Sequence, residues 1–161
     1  MSDLLIDDKI SLKNIKAVIF DKDGTLIDIH HYWSSMIKLR ASLISLKWFK
    51  DDEKDRIQNH LIDIMGFDLE SCKMKPEGPI GVKPRSFIVD LVSDFVRKSG
   101  YQISNDDVEA LFKRADEETS KDMLPLLKVL PGVQDLLVRL NDCGIQLFIA
   151  TTDITSRAII A

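Results

Sequence analysis

The sequence predicts an α/β fold in which a long helical segment interrupts a parallel-sheet core. Two short segments, 15–20 and 145–150, each end in a continuously apolar run and have the length and composition of strands that are covered on both faces. Between them, apolar residues recur at the spacing of amphipathic helices. We therefore expect an α/β core made of residues 1–29 and 129–161, with an all-helical insert formed by residues 30–128.

The composition is that of a soluble globular protein. The chain has 161 residues, a net charge of −4 and a mean hydropathy of −0.03, and its acidic and basic residues are interspersed. The sequence has no basic face of the kind that binds nucleic acid, and its apolar runs are too short to cross a bilayer. The first residues carry acids where a signal peptide carries basic residues, which predicts a cytoplasmic protein. Cys72 and Cys143 lack metal-site spacing, and we expect both to be reduced and interior.

The first core segment is a strand followed by an acidic loop. The apolar run Ala17–Phe20 leads directly into Asp21-Lys22-Asp23-Gly24-Thr25. Side chains on a strand alternate between its two faces, so the two carboxylates converge only if the chain leaves the sheet after Asp21, a turn that glycine permits. Converged carboxylates suit a divalent metal and a phosphoryl group. The alternative is an ordinary turn, since Asp and Gly favour turns for local reasons.

The helical insert is predicted from four stretches of helical periodicity. A loop at 75–81, rich in Pro and Gly, separates the second stretch from the third. Ser104 or Asn105 is expected to cap the fourth helix. The apolar positions that mark the four helices are Trp33 to Ile44, Ile57 to Met65, Phe87 to Phe95, and Val108 to Ala115.

The second core segment is predicted to be a helix and then a strand. Pro131 is expected at the helix start and Gly144 at its C-terminal cap. The strand Ile145–Ala150 then ends at Thr151-Thr152, and a further helix is expected to begin near Thr155.

The two core segments resemble the first two signatures of the haloacid dehalogenase (HAD) superfamily, most of whose members are phosphatases. Four apolar residues followed by DKDGTL match the first signature, and 130–133 with 147–151 match the second. The resemblance implies a partial Rossmann-like HAD core with a parallel sheet. It also implies an inserted α-helical cap, as in phosphoglycolate phosphatase-like proteins.

The resemblance also implies roles for individual residues. Asp21 would be the nucleophile that forms an aspartyl-phosphate, and Asp23 the general acid and base. Both are candidate Mg²⁺ ligands, and in the family it is the backbone carbonyl at the Asp23 position that binds the metal. Gly24, Thr151 and Thr152 are the candidate phosphate-binding residues. The alternative for the threonines is that they cap a following helix, as is common in α/β proteins.

Several other residues have ordinary interpretations. Lys22 is expected to point away from the two acids if strand alternation continues. His30 and His31 are expected to belong to the first insert helix more than to a substrate site. Arg85 is a candidate contact for a substrate anion, but we expect it to lie on a solvated face.

Two further family signatures, a lysine and an acidic pair, do not occur in the chain. Three explanations fit this pattern: the chain is a fragment of a longer phosphatase, a shortened relative, or a chain that a partner completes. The leading hypothesis is a Mg²⁺-dependent phosphatase of a small phosphorylated metabolite, with little activity from these residues alone. The alternatives are a phosphomutase of the same family and a non-catalytic scaffold or interaction protein. The uncovered edge of the first strand is a possible site for self-association or a partner chain, with no nucleic acid or membrane partner expected.

Overall fold

The computed structural model describes residues 2–151 and 155–160, which fall into two compact units. Residues 1–29 and 127–161 form the first, which we call the core unit, and residues 30–126 form the second, the helical unit. In chain order the described elements are β1 (Ser2–Ile6), β2 (Ile10–Ile15), β3 (Ala17–Asp21), α1 (Ile29–Trp48), α2 (Lys54–Ile64), β4 (Phe67–Asp68), β5 (Lys73–Met74), α3 (Arg85–Lys98), α4 (Asn105–Lys121), α5 (Val133–Asp142), β6 (Gln146–Ala150) and α6 (Thr155–Ile160).

The core unit contains the predicted parallel pair of strands. β3 and β6 run parallel with a continuous register, from Ala17 opposite Gln146 to Asp21 opposite Ala150. The α/β class predicted from the sequence is confirmed. Because the register is unbroken, the carboxyl ends of the two strands lie side by side, which is where parallel sheets carry functional residues.

The prediction that these strands are covered on both faces is wrong for the described part of the chain. Ile19, Phe148 and Ile149 are 68%, 50% and 60% exposed. The physical reason is that this sheet has only two strands among the described residues, so little packs against it. The buried cluster of the core unit consists of Leu26, Ile27 and Val133, and Phe20 of β3 packs against it.

An antiparallel hairpin of β1 and β2 precedes the core sheet, and the sequence did not predict it. Its turn places Asp7 and Asp8 at φ of 51° and 54°, and the Lys9 amide donates to the Ile6 carbonyl at 3.0 Å. Consecutive positive φ angles at its two central positions are the mark of a type I′ turn, and Lys9 is the third residue between the paired Ile6 and Ile10. The predicted first strand is therefore shorter than expected: Ile15 ends β2, and β3 begins at Ala17.

Helix α5 begins at Val133, two residues later than the sequence suggested. Gly132, with φ of 81°, is its N-cap, so Pro131 precedes the helix instead of starting it. At the other end, Gly144 has φ of 71° just beyond the helix, which confirms the predicted C-terminal glycine.

The helical unit contains the four predicted helices, α1 to α4, around one apolar core. Ser104 is the N-cap of α4: its hydroxyl accepts from the Asp107 amide, and the Asp107 carboxylate accepts from the Ser104 amide at 2.9 Å. This reciprocal pair is a capping box. The fully buried large side chains of the unit are Phe67, Phe112, Met36, Ile37, Ile44, Leu61, Met65, Val92, Val96 and Val108.

Both cysteines are exposed and unbonded to each other, so the prediction that they are interior is wrong. Cys72 lies in the turn between β4 and β5, and Cys143 directly follows α5. Each therefore occupies an exposed turn.

An ion-pair network joins three helices of the helical unit. Arg40 on α1 donates from Nη2 to Asp116 Oδ1 on α4 at 3.0 Å, and Arg85, the first residue of α3, donates to the other oxygen of Asp116. The expectation that Arg85 lies on a solvated face is wrong, because this contact and one to Glu109 hold it half-buried.

We expect the free energy of unfolding to decrease as the pH is lowered, and Asp116 to contribute to this decrease. Burial alone would raise the pKa of Asp116, but hydrogen bonds and charge from Arg85 and Arg40 outweigh it and hold that pKa below its usual range. As the pH drops below about 4, the unfolded chain binds more protons than the folded protein does. The free energy of unfolding therefore falls through this pH window. Urea unfolding measured from about pH 6 down to about pH 3 tests this, because those values bracket the reference pKa of aspartate.

The control for this prediction is Asp116→Asn. The variant removes the titrating group, so its free energy of unfolding should fall less steeply with decreasing pH than that of the wild type. Equal pH slopes for the two proteins would contradict the prediction.

Candidate active site

Asp21 lies at the carboxyl end of β3, with its side chain exposed. It is the last residue in register with β6, opposite Ala150. Thr151 is the first residue beyond that partner strand and is partly buried. The fold thus brings the candidate nucleophile and one candidate phosphate ligand to the ends of neighbouring strands.

A tight loop follows Asp21 and is closed by its own backbone. The amides of Leu26 and Ile27 both donate to the Lys22 carbonyl, at 2.9 and 3.1 Å, and the Gly24 amide donates to the Ile27 carbonyl at 2.8 Å. Gly24 has φ of 84°, which confirms the predicted turn. A Cβ at Gly24 would come no closer than 3.8 Å to Ile29, so the backbone conformation, and not space, requires glycine here.

The second core segment holds this loop in place. The Asp28 amide donates to the Lys128 carbonyl at 2.7 Å, and the Leu130 amide donates to the Leu26 carbonyl at 2.9 Å. The Lys128 ammonium also lies 3.7 Å from the Asp28 carboxylate. Two parts of the chain that are far apart in sequence therefore fix the acidic loop together.

Lys22 is placed differently from the prediction. It is only 3% exposed, and its Nζ lies 3.2 Å from Oδ1 of Asp23. The prediction assumed that strand alternation continues past Asp21, but the loop closes immediately after that residue and directs Lys22 inward. The contact orients the Asp23 carboxylate, which is the side chain expected to handle protons.

The remaining candidates fall in three places. Thr152 lies outside the described residues. His30 accepts the Met74 amide at Nδ1 (3.0 Å), and Nε2 of His31 lies 3.1 Å from the Pro125 carbonyl oxygen. Both histidines thus make structural contacts inside the helical unit, in line with their expected place in its first helix.

The donor chemistry at Asp21 and Asp23 fits a magnesium ion in part. No group of three or more His, Cys, Asp or Glu side chains within 2–151 and 155–160 is arranged to hold a metal. Protein sites for Mg²⁺, however, commonly use one or two carboxylates together with substrate phosphate oxygens and water. A carboxylate at an exposed strand end supplies oxygen donors of that kind.

Replacing Gly24 by alanine should lower both stability and activity. An alanine at φ of 84° is strained by about 1–2 kcal/mol, and relief of the strain would open the loop that carries Asp21 and Asp23. Urea unfolding and the phosphatase assay described below measure the two effects.

Gly81→Ala is the matched control for this prediction. Gly81 has nearly the same φ, 86°, and nothing lies within 4 Å of a Cβ there, but it belongs to the helical unit. We expect a similar loss of stability without loss of activity. An equal loss of activity in both variants would show that strain at Gly24 has no local effect on the site.

Two solved structures resemble this chain, and the first of them agrees with this architecture. A predicted phosphoglycolate phosphatase from Haemophilus somnus 129PT aligns with a TM-score of 0.51 at 14% identity, over 89% of this chain and 54% of that one. CbbY from Rhodobacter sphaeroides, solved with phosphate, aligns with a TM-score of 0.40 at 20% identity, over 88% of this chain and 53% of that one. The chain thus spans about half the length of these structures. No curated protein gives a significant sequence match.

Among the helices described here, none combines the length and hydrophobicity needed to cross a membrane. The family model of the haloacid dehalogenase-like hydrolases matches residues 15–160, nearly the whole chain, including the acidic loop after β3 and the strand that ends at Ala150. On this match, and with the parallel sheet and loop that accompany it, the chain belongs to the haloacid dehalogenase-like hydrolase family.

Proposed function

We propose that this protein is a Mg²⁺-dependent phosphatase of a small phosphorylated metabolite. The observation that carries the proposal is the register of β3 and β6, which sets Asp21 and Thr151 at the ends of adjacent parallel strands. Family membership supports hydrolysis as the reaction. The helical unit is proposed to act as the cap.

The proposed reaction has two steps, both carried by the acidic loop. A carboxylate oxygen of Asp21 bonds to phosphorus while the bond to the leaving oxygen breaks, and Asp23 gives that oxygen a proton. Water then attacks the aspartyl-phosphate, Asp23 takes a proton from the water, and inorganic phosphate leaves. The Lys22 contact would keep the Asp23 carboxylate directed at these oxygens.

Phosphate would be held by groups at the strand ends. The Thr151 hydroxyl would donate to a phosphate oxygen, with Thr152 as a second contact, and the turn at Gly24 would allow a close approach of the backbone. Bound magnesium would lessen the repulsion between the Asp21 carboxylate and the phosphate.

Phosphoryl transfer to the protein tests the proposal directly. The chain would be incubated with acetyl phosphate and Mg²⁺, and intact mass spectrometry should then show one added phosphoryl group on Asp21 after peptide mapping. Slow Mg²⁺-dependent hydrolysis of p-nitrophenyl phosphate, abolished by a chelator, is the second readout. Absence of both the adduct and the hydrolysis would refute the proposal.

Two related proposals are separated by the same experiments. A phosphomutase would pass the phosphoryl group to a second hydroxyl instead of water, which product analysis detects.

A non-catalytic interaction protein is favoured by the exposed sheet residues Ile19, Phe148 and Ile149, which offer a surface for a second copy or a partner chain. In that case we expect no phosphoryl adduct, together with self-association in sedimentation that Ile149→Lys disrupts.

A further inference from the structure

Two arginines of the helical unit share one carboxylate beside a single aromatic ring. Arg40 and Arg85 each donate to a different oxygen of Asp116. The guanidinium carbons of Arg40 and Arg85 lie 4.5 and 5.6 Å from the centroid of the Phe112 ring. Because the ring is fully buried, it fixes both guanidinium groups in position.

The hydrogen-bond donors of this cluster exceed its acceptors. Nε of Arg40 and Nη2 of Arg85 are buried and have no acceptor among the residues that the structure describes. Buried polar groups in proteins are almost always hydrogen-bonded, and an arginine presents five N–H donors in a fixed fork. The two unpaired donors therefore mark a place that is built to receive an acceptor.

The charge of Arg40 is also poorly balanced by its surroundings. Burial lowers the pKa of Arg40, and Asp116, which it shares with Arg85, does not make up for this. The second acid of the cluster, Glu109, lies 3.0 Å from Nε of Arg85. An additional negative group would therefore find a cation whose charge is only partly compensated.

The cluster borders on solvent at its Arg85 end, while its two unpaired donor atoms are buried. The side chains of Arg85, Glu109 and Asp116 are 37%, 30% and 25% exposed, while that of Arg40 is only 7% exposed at the inner end. We propose that Arg40 and Arg85 form a binding site for a small oxyanion, a carboxylate or a phosphate. Such a group has only acceptors, and it matches the planar donor fork of a guanidinium. This site does not depend on the role proposed for Asp21.

Binding of small anions to the wild-type protein tests the inference. Inorganic phosphate and sodium acetate would be titrated without magnesium, at constant ionic strength, with Kd measured by isothermal calorimetry and the melting temperature recorded in parallel. We expect binding of at least one anion and a melting temperature that rises with its concentration. The two anions distinguish a phosphate site from a carboxylate site. Binding of neither would overturn the proposal.

Variants assign the binding to the cluster. Arg40→Gln and Arg85→Gln should each weaken it about tenfold or more, which corresponds to the loss of a charge-assisted hydrogen bond. Arg97→Gln, which alters an exposed arginine of α3 that is paired with Asp94, should bind as the wild type does. Unchanged affinity in Arg40→Gln and Arg85→Gln would show that the anion binds elsewhere, near Asp21 for instance.

Asp116→Asn gives a readout in the opposite direction. It removes the carboxylate that competes for both guanidinium groups but keeps its size, so the anion should bind about tenfold more tightly than to the wild type. This result does not require that the arginine variants fold. If the cluster served only to hold the helices together, Asp116→Asn would be less stable and would bind no more tightly, and the proposal would fail.

Discussion

Asp21→Asn is expected to reduce phosphoryl transfer by at least about 10³-fold, the scale seen when a covalent nucleophile is removed from an enzyme. The asparagine amide has the size of the carboxylate and leaves the pairing of β3 with β6 unchanged. It cannot, however, attack phosphorus or supply an anionic oxygen to magnesium. The initial rate of Mg²⁺-dependent p-nitrophenyl phosphate hydrolysis and the yield of phosphoryl adduct measure the loss.

Asp135→Asn is the control for that experiment. It makes the same chemical change in the core unit, at an exposed carboxylate of α5 and not at the end of β3. Its activity should stay close to that of the wild type. If Asp21→Asn retained activity within about tenfold of the wild type, which is about 1.4 kcal/mol in barrier height, Asp21 would not be the nucleophile.

Phe112→Ala is expected to lower the free energy of unfolding by about 3–5 kcal/mol, the usual cost of removing a buried phenyl ring. Phe112 is fully buried in the core of the helical unit, and its ring also contacts both arginines that bind Asp116. The loss therefore combines a cavity with the release of two guanidinium groups. Because whole domains are stable by only about 5–15 kcal/mol, we expect a population of unfolded protein at moderate temperature. Urea unfolding followed by circular dichroism measures the change.

Phe87→Ala is the matched control, because Phe87 lies on α3 with 43% of its surface exposed. Substitutions at such positions usually change stability by about 0.5 kcal/mol. Similar losses for the two phenylalanines would mean that burial in the helical unit is not what makes Phe112 important.

The α/β class and the helices could be predicted because local patterns encode them. Apolar runs of strand length, the glycine after α5, and the helical spacing of the insert each depend on residues within a few positions of one another. The acidic loop was found in the same way, since an apolar strand followed by DKDGTL occupies adjacent positions. These predictions follow from short-range physical chemistry, and the structure agrees with them.

The errors arose where distant residues or unusual turns decide the structure. The β1–β2 hairpin turns at Asp7-Asp8 without the glycine that normally marks a type I′ turn, although Ile10 and Leu12 alternate with polar residues as a strand requires. The exposure of Ile19 depends on how many strands flank β3, which no local pattern reports.

The arginine cluster could not be predicted for a similar reason. Arg40 and Asp116 meet across 76 positions of sequence. The one signal was a charged residue among the apolar neighbours Leu39 and Ala41 in α1. That pattern indicates a buried cation, but it does not identify its partner.

The contact between His31 and the Pro125 carbonyl has a consequence for how the chain folds. It joins the two ends of the helical unit, and within the core unit the Asp28 amide donates to the Lys128 carbonyl. Residues of β3 and β6 are about 130 positions apart in the chain, so their pairing carries a large loop-closure entropy. Once the local contacts of the helical unit have formed, that loop is already closed. We expect the helices to form early and the parallel strands to pair last. Mutations in β6 should then speed unfolding more than they slow folding.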